Sequence, residues 1–227
     1  MGSITLKKVL SKNYKDQEAW FYIRPDSNDQ LIINEIRQQD QYGLSRMGKF
    51  QPDDIVIDIG GHIGIFAIEC AINGAKVLAF EPEPENYQIF LENIKVNNLE
   101  DRITVYNKAI SGKEGTSYLY IDDVNPGSHS LVKEYVDHPG DNKIEVNTVI
   151  LNSITEKFKW IKIIKLDCEG AEYDILENSD LSKVGGIVAE LHNRDRTQKL
   201  MEYLMLKGYF IKWHFGKRLG RVQARRW

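Results

Sequence analysis

From residue 55 onward, short apolar runs alternate with stretches whose apolar residues recur every three or four positions. Ile55-Val56-Ile57-Asp58-Ile59 has the length and β-branched content of a buried strand, and Gly60-Gly61 stops it. Residues 62–73 then carry a helical spacing that ends at Asn73-Gly74, a pair suited to a helix C-terminus. Lys76–Phe80 predicts a second strand closed by Glu81-Pro82. After Pro84, Tyr87, Phe90, Leu91 and Ile94 form one apolar stripe of a helix. Ile103–Tyr106, Ile161–Leu166, Gly186–Leu191 and Tyr209–Phe215 predict further strands. Helices are expected from about Ala171 and around Leu200, Tyr203 and Leu204.

Strand–helix alternation at this rhythm predicts an α/β fold, a mostly parallel, doubly wound sheet with helices on both faces. Residues 112–149 break the rhythm. Their alternating segments, Thr116–Ile121 and Lys143–Val149, flank Asn125-Pro126-Gly127 and predict an inserted hairpin on the ligand-binding edge of the sheet. The expected organisation is a lead-in over residues 1–50, with a helix near Asp29–Gln39, and one domain over residues 51–227.

The turn after the first strand carries the chemical signal. Asp58-Ile59-Gly60-Gly61-His62-Ile63-Gly64 lies between strand and helix, and Glu81 stands 21 residues beyond Gly60. That spacing suits a carboxylate that accepts both hydroxyls of an adenosine ribose. A dinucleotide turn would need glycine at positions 62 and 65, where His62 and Ile65 stand. The Asp58 carboxylate would repel a diphosphate and attract an ammonium. S-adenosylmethionine carries the ammonium and no phosphate, so it is the expected cofactor.

Composition adds boundaries. With 227 residues, 42% hydrophobic and 28% charged, the chain has the make-up of a folded domain. Its two cysteines, Cys70 and Cys168, cannot build a disulfide framework and fit a reducing compartment. Met1–Leu6 lacks the pattern of a secretory signal, and the apolar stretch Ile55–Ile68 is short and interrupted by Asp58 and His62. A cytoplasmic protein without a membrane partner is expected. The net charge of −3 hides an asymmetry. From Lys212 onward there are six basic residues and no acids, so the remaining 24 basic residues face all 33 acids, a balance of −9. The basic end is either a solvated hairpin or a site for an anionic partner.

Asp58–Gly64, Phe80-Glu81-Pro82, Asn107-Lys108-Ala109-Ile110-Ser111 and Lys165-Leu166-Asp167-Cys168-Glu169-Gly170-Ala171-Glu172 together resemble the FkbM-type methyltransferase family over residues 55 to about 192. The resemblance extends upstream to Arg24–Asp29. It implies a Rossmann-like class I methyltransferase that uses S-adenosylmethionine to O-methylate a sugar or natural product. It further implies that Asp58, Gly60, Gly61 and Gly64 line the methionine end of the cofactor, that Glu81 holds the ribose, and that Ala109–Ser111 passes near the adenine. His62 departs from the asparagine common in that turn, and either side chain can donate to a carboxylate.

O-methylation needs an in-line acceptor and a group to take its proton. Asp167 ends a predicted strand on the ligand side, and Glu169 follows in a turn that Gly170 permits. Both can alternatively cap the next helix. Glu190 and His192 share one face of the next strand, which makes His192 the first choice as general base, with Glu190 and Asp167 beside it. The same Asp167, Glu190 and His192 could instead hold a divalent cation that acidifies the acceptor hydroxyl. His129 lies in the loop beside the expected cleft, as a substrate contact or as ordinary loop polarity. A second reading, a nucleotide or nucleic-acid methyltransferase, draws on Trp213, Phe215 and Trp227 among the terminal basic residues. A third is a nucleotide-binding module without catalysis. The expected acceptor is a small molecule, sugar-containing or anionic.

Overall fold

The computed structural model describes residues 5–136, 138–192, 194–215 and 220–226, and of residues 139, 194–195 and 213–215 the backbone alone. Lys217, Arg218, Trp227 and the side chains of Trp213 and Phe215, on which the nucleic-acid reading drew, lie outside that description. The chain opens with strands β1 (Lys7–Lys12) and β2 (Glu18–Ile23), an antiparallel hairpin, then helix α1 (Asp29–Ile33), which runs on as a wider π-helical turn over Asn34–Gln38. Next come β3 (Ile55–Ile59), α2 (Ile65–Ile72), β4 (Lys76–Phe80), α3 (Pro84–Val96) and β5 (Ile103–Tyr106). Strands β6 (Ala109–Ile110), β7 (Gly115–Asp122) and β8 (Pro139–Val149) follow. The chain continues with α4 (Asn152–Thr155), β9 (Ile161–Leu166), α5 (Glu172–Glu177) and β10 (Val184–Leu191). It closes with α6 (Arg194–Leu206), β11 (Phe210–Phe215) and β12 (Gly220–Arg225).

Seven strands form the main sheet in the order β11-β12-β10-β9-β3-β4-β5. The pairs β5/β4, β4/β3, β3/β9 and β9/β10 are parallel, whereas β10/β12 and β12/β11 are antiparallel. The sheet is therefore mixed, and the expectation of a mostly parallel sheet fails at this edge. Only four residues separate β11 from β12. A return that short joins antiparallel neighbours, because a parallel crossover needs a dozen residues or more.

Alternation along each buried strand feeds two cores. Val56, Val77, Ile163 and Val188 face one layer with Phe66, Ile68, Phe90 and Ile94 of α2 and α3. Ile57, Ile59, Ile164 and Ile187 face the other with Tyr173, Leu176, Leu200 and Leu204 of α5 and α6. Helices therefore cover both faces. The hairpin β1/β2, which the polar pattern of Lys7–Lys12 did not announce, contributes Ala19, Phe21 and Ile23 to the first core. The π-helical turn adds Arg37, fully buried and 3.4 Å from the equally buried Glu69 of α2. Asn13 completes the arrangement with a 2.6 Å bond to Glu69.

Residues 112–149 supply the predicted hairpin. Strands β7 and β8 pair antiparallel, and β6 joins them in a separate three-stranded sheet. Among the described residues, no helix is long and apolar enough to cross a membrane.

Candidate active site

A cavity of about 530 Å³ opens at the carboxyl ends of four parallel strands. Gly60 follows β3, Glu81 follows β4, Asp167 follows β9 and His192 follows β10, and all four line it. Ligands bind at this edge of open α/β sheets because the strands end there and their connecting loops diverge. Leu31 and Ile32 of the lead-in and Asn125–His129 of the insertion supply further walls.

The glycine turn is built by close packing. Gly60 has φ +75°, and a Cβ there would sit 1.8 Å from the carbonyl oxygen of Asp167. Gly64 has φ +91°, and its Cβ would strike the Phe90 ring at 2.2 Å. The helix expected from residue 62 therefore starts at Ile65, after the turn has closed. Gly60 and Gly61 line the cavity, as do His62, Glu81 and Ala109. Gly64 and Asp58 do not, which corrects the expectation that both touch the methionine end. Asp58 is fully buried, 3.3 Å from Lys165 Nζ, and meets a cation of the protein itself. Burial raises its carboxyl above the usual range, and Lys165 opposes that shift. Lys165 Nζ donates at 2.5 Å to the Gly60 carbonyl, so the pair stiffens the turn from below.

Glu81 accepts the backbone N–H of His62 at 2.7 Å and that of Glu83 at 2.9 Å, one on each oxygen. A carboxylate oxygen has two acceptor sites, so one remains on each for a ligand hydroxyl. Burial pushes this carboxyl up to about 8 against those two bonds. His62 adopts φ +49°, and its Nε2 lies 3.0 Å from Arg24, which itself grips Asp29 at 2.9 Å. Burial lowers its imidazole to about 4, so it is neutral. Phe80 stacks on Tyr106 at 5.1 Å, and Phe80, Ala109 and Ile110 form an apolar wall.

The opposite part of the cavity holds the acids. Asp167 accepts the Tyr42 hydroxyl at 2.6 Å. Burial works against its charge, but Lys165 and His192 hold the carboxyl below its ordinary range. Glu190 accepts from Gln41 at 3.0 Å and faces Arg221 at 3.4 Å. Burial and then Asp167 push it up to about 7. His192 differs from its expected role. Its Nε2 is 3.0 Å from Glu169 and its Nδ1 is 3.1 Å from Glu172. Burial opposes a charge on the ring, yet the two carboxylates overcome it and raise the imidazole to about 12. An imidazolium with both nitrogens engaged has no lone pair to take a proton, so His192 is not the general base.

The metal reading meets the same obstacle. Atoms of Asp167, Glu169 and His192 lie within 4.8 Å of one another, a different trio from the expected Asp167, Glu190 and His192. In both trios His192 has its nitrogens committed to carboxylates, and a metal requires the neutral ring. A cation there would have to replace the contact of His192 with Glu169 or Glu172.

Tyr42, Gln41, Lys165 and Glu172 carry this geometry and were missed in the sequence. Lys165 stood in the family-like block, two residues before Asp167 on the same strand face, and that period was the available signal. Cys168 lines the cavity and Cys70 is buried in α2, and burial raises both thiols well above their usual range. Such thiols are poor nucleophiles.

The model of the FkbM methyltransferase domain matches residues 58–218. A tRNA (guanine(37)-N(1))-methyltransferase of Candida albicans is 41% identical over 68 residues, 30% of this chain and 15% of that enzyme. The chain thus spans a small part of that relative's length. Methyltransferase sdnD of Sordaria araneosa is 25% identical over 181 residues, covering 66% of this chain and 69% of that protein. In fold, the chain is similar to M. capricolum TrmK solved with S-adenosylhomocysteine, with a TM-score of 0.51 at 11% identity over 81% of this chain and 67% of that one. With 161 consecutive residues matched, from the glycine turn to the terminal hairpin, the chain belongs to the FkbM methyltransferase domain family.

Proposed function

We propose that this chain transfers a methyl group from S-adenosylmethionine to a hydroxyl of a small, sugar-containing or natural-product acceptor. The observation that carries the reading is the division of one cavity into two chemistries. A ribose-suited carboxylate, Glu81, stands by the glycine turn, and a near-neutral carboxylate, Glu190, stands among the acids. Glu81 keeps one acceptor site on each oxygen for a ribose hydroxyl, and the apolar wall of Phe80, Ala109 and Ile110 suits an adenine, so the residues fit the cofactor. When bound, S-adenosylmethionine supplies an electrophilic methyl group on a sulfonium.

The chain's own residues do the rest. The Asp58–Lys165 pair keeps the Gly60 carbonyl fixed, so the turn holds its shape. Glu190 takes the acceptor's proton, since a base is most useful when its pKa lies near the working pH. Gln41 orients its carboxylate through Oε2. Asp167, tied to Tyr42, stays ionised and attracts the acceptor hydroxyl.

A nucleic-acid acceptor is the second reading, favoured by the 41% identical segment of the tRNA-modifying relative. The described basic end argues against it. Arg225 donates to the Arg46 carbonyl, Arg226 donates to the Ser182 carbonyl and covers the Tyr209 ring, and Arg221 faces Glu190. Calorimetric titration with S-adenosylmethionine, followed by label transfer from its methyl group to a panel of glycosides, nucleotides and tRNA, tests the proposal. Binding with transfer to a hydroxyl of a small acceptor is expected. Absence of binding, or transfer to tRNA alone, overturns it.

A further inference from the structure

Gln41 and Tyr42 reach the cavity from the lead-in as the two central residues of one tight turn. The Gly43 N–H closes that turn by donating to the Asp40 carbonyl at 2.7 Å. Both flanking residues have positive φ, +50° at Asp40 and +66° at Gly43. From the turn, Gln41 donates to Glu190 at 3.0 Å and Tyr42 donates to Asp167 at 2.6 Å, so one short stretch of backbone serves both acids. Glycine occupies many backbone states at similar energy, so a turn that ends in Gly43 does not by itself select the state in which both side chains arrive.

The last strand makes the selection. Gln223 of β12 is buried, and its Nε2 donates to the Tyr42 carbonyl at 3.0 Å. Its alternate neighbours share that face of the strand and also engage this region: Arg221 faces Glu190, and Arg225 donates to the Arg46 carbonyl at 2.9 Å. Gly43 and Gln223 are fitted to each other. A Cβ on Gly43 would stand 2.1 Å from Gln223 Nε2, so the amide occupies the space that a side chain at position 43 would fill. The glycine that loosens the turn thus admits the group that fixes it. A carbonyl accepts, so it takes the nitrogen end of the Gln223 amide. Neither Gly43 nor Gln223 lines the cavity.

We infer that Gln223 is a positioning residue for methyl transfer: by holding the Tyr42 carbonyl through the gap at Gly43, it sets Tyr42 against Asp167 and Gln41 against Glu190. The inference rests on the methyl-transfer reading above and adds to it a residue outside the cavity. Loss of this clasp leaves both acids on their strands and frees the two groups that orient them.

The test uses the full chain and follows the Tyr42 hydroxyl proton by NMR, assigned by its disappearance in Tyr42→Phe. In the parent the proton should exchange slowly with water, because the residue is buried and the hydroxyl is bonded to Asp167. Gln223→Met, which keeps the volume and removes the donor, should speed that exchange tenfold or more. Gly43→Ala should do the same from the other side of the contact, and it serves as the test if Gln223→Met does not fold. The double variant should be no worse than the stronger single one, because both changes break one bond. Arg225→Met removes the neighbouring anchor at Arg46 and should lower the melting temperature with exchange within twofold of the parent. On the acceptor found by label transfer, Gln223→Met should lower kcat tenfold or more, with the KM for S-adenosylmethionine within twofold. A merely structural Gln223 would lower the melting temperature and leave the Tyr42 proton and kcat unchanged, and that result overturns the inference. Fast exchange in the parent, additive effects in the double variant, or equal acceleration by Arg225→Met overturns it as well. Failure of the parent to bind S-adenosylmethionine or to transfer label defeats the methyl-transfer reading. An unchanged Tyr42 proton in a Gln223→Met chain whose parent is active defeats the clasp and spares that reading.

Discussion

Replacing Lys165 with methionine leaves Asp58 buried without its countercharge. Asp58 is fully buried and Lys165 only 4% exposed, so water cannot take over the role of the missing ammonium. Breaking a buried pair by removing one partner costs about 3–5 kcal/mol. The lost bond to the Gly60 carbonyl accounts for about 1 kcal/mol of that. The remainder belongs to the Asp58 charge and therefore depends on pH. Burial already raises the Asp58 carboxyl, and Lys165 is the largest influence opposing the shift. Without it the folded-state value rises further above the unfolded one. A raised carboxyl stabilises the fold relative to higher pH while it remains protonated, and that contribution disappears as pH climbs through the folded value. The variant should thus be worst at pH 8 and partly recover near pH 5. For a chain of this size each kcal/mol moves the melting temperature by about 2–4 °C. Thermal melts should show a deficit of roughly 6–20 °C at pH 8, with a clearly smaller gap at pH 5. Adding Asp58→Asn should restore part of the loss, because it removes the stranded charge. Equal deficits at both pH values, or a double variant as unstable as both single losses summed, would refute the reasoning.

Glu190→Gln should leave S-adenosylmethionine affinity within about twofold and lower kcat by about 10²–10⁴, the usual contribution of a positioned base. In the unaltered chain, the rate should fall as pH drops through about 7, where Glu190 becomes protonated, and that limb should vanish in the variant. Glu81→Gln should weaken cofactor binding in calorimetry. Because the folded Glu81 carboxyl is raised to about 8, its contribution is lost as pH rises from the carboxylate range through 8, so the ligand-free variant should lose less stability than the parent between pH 5 and 8 in melting curves. Gly64→Ala would force a Cβ to 2.2 Å from the Phe90 ring at φ +91°. Denaturant unfolding should show a loss of about 1–3 kcal/mol or more, with part of it regained when Phe90 is shortened to leucine.

Much of this architecture could be read from residue order, and the limits have physical causes. Strands β3, β4 and β9 declare themselves because burial on both faces demands unbroken apolar runs such as Ile161–Leu166. The glycine turn was equally plain, since no other residue tolerates the approach of the Asp167 carbonyl to Gly60. Hairpin β1/β2 was hidden because Lys7, Lys8 and Lys12 are exposed on a strand that covers the core with only part of one face. Its turn also lacks glycine and uses Asp16 at φ +60°. In the site, spacing brought Asp167, Glu190 and His192 to one edge, but it could not say what each would touch. Glu172 lies 20 residues before His192 and Tyr42 lies 125 before Asp167. Those contacts fix charge states, and His192, expected as a neutral base, stands between two carboxylates as an imidazolium. The two readings left open for the acid-free end have the same cause: its net charge was visible, while the carbonyls and the Glu190 carboxylate that engage Arg221, Arg225 and Arg226 were not.

The antiparallel edge of the sheet has a consequence for the chemistry. In the β10/β12 ladder Arg221 is the direct partner of Glu190. Side chains alternate faces every residue along a strand, so a slip of β12 by one position would put Val222 opposite the acid and turn the arginine away. The basicity of Glu190 is therefore a property of strand alignment. Arg221 pulls the carboxyl down while burial and Asp167 push it up, and the β10/β12 register is what sets Arg221 opposite the acid. Substitutions along Gly220–Arg225 that loosen the ladder without touching the cavity should move the pH optimum before they unfold the protein. In the proposed mechanism the final strand is a tuning element, its register setting how readily Glu190 would accept a proton.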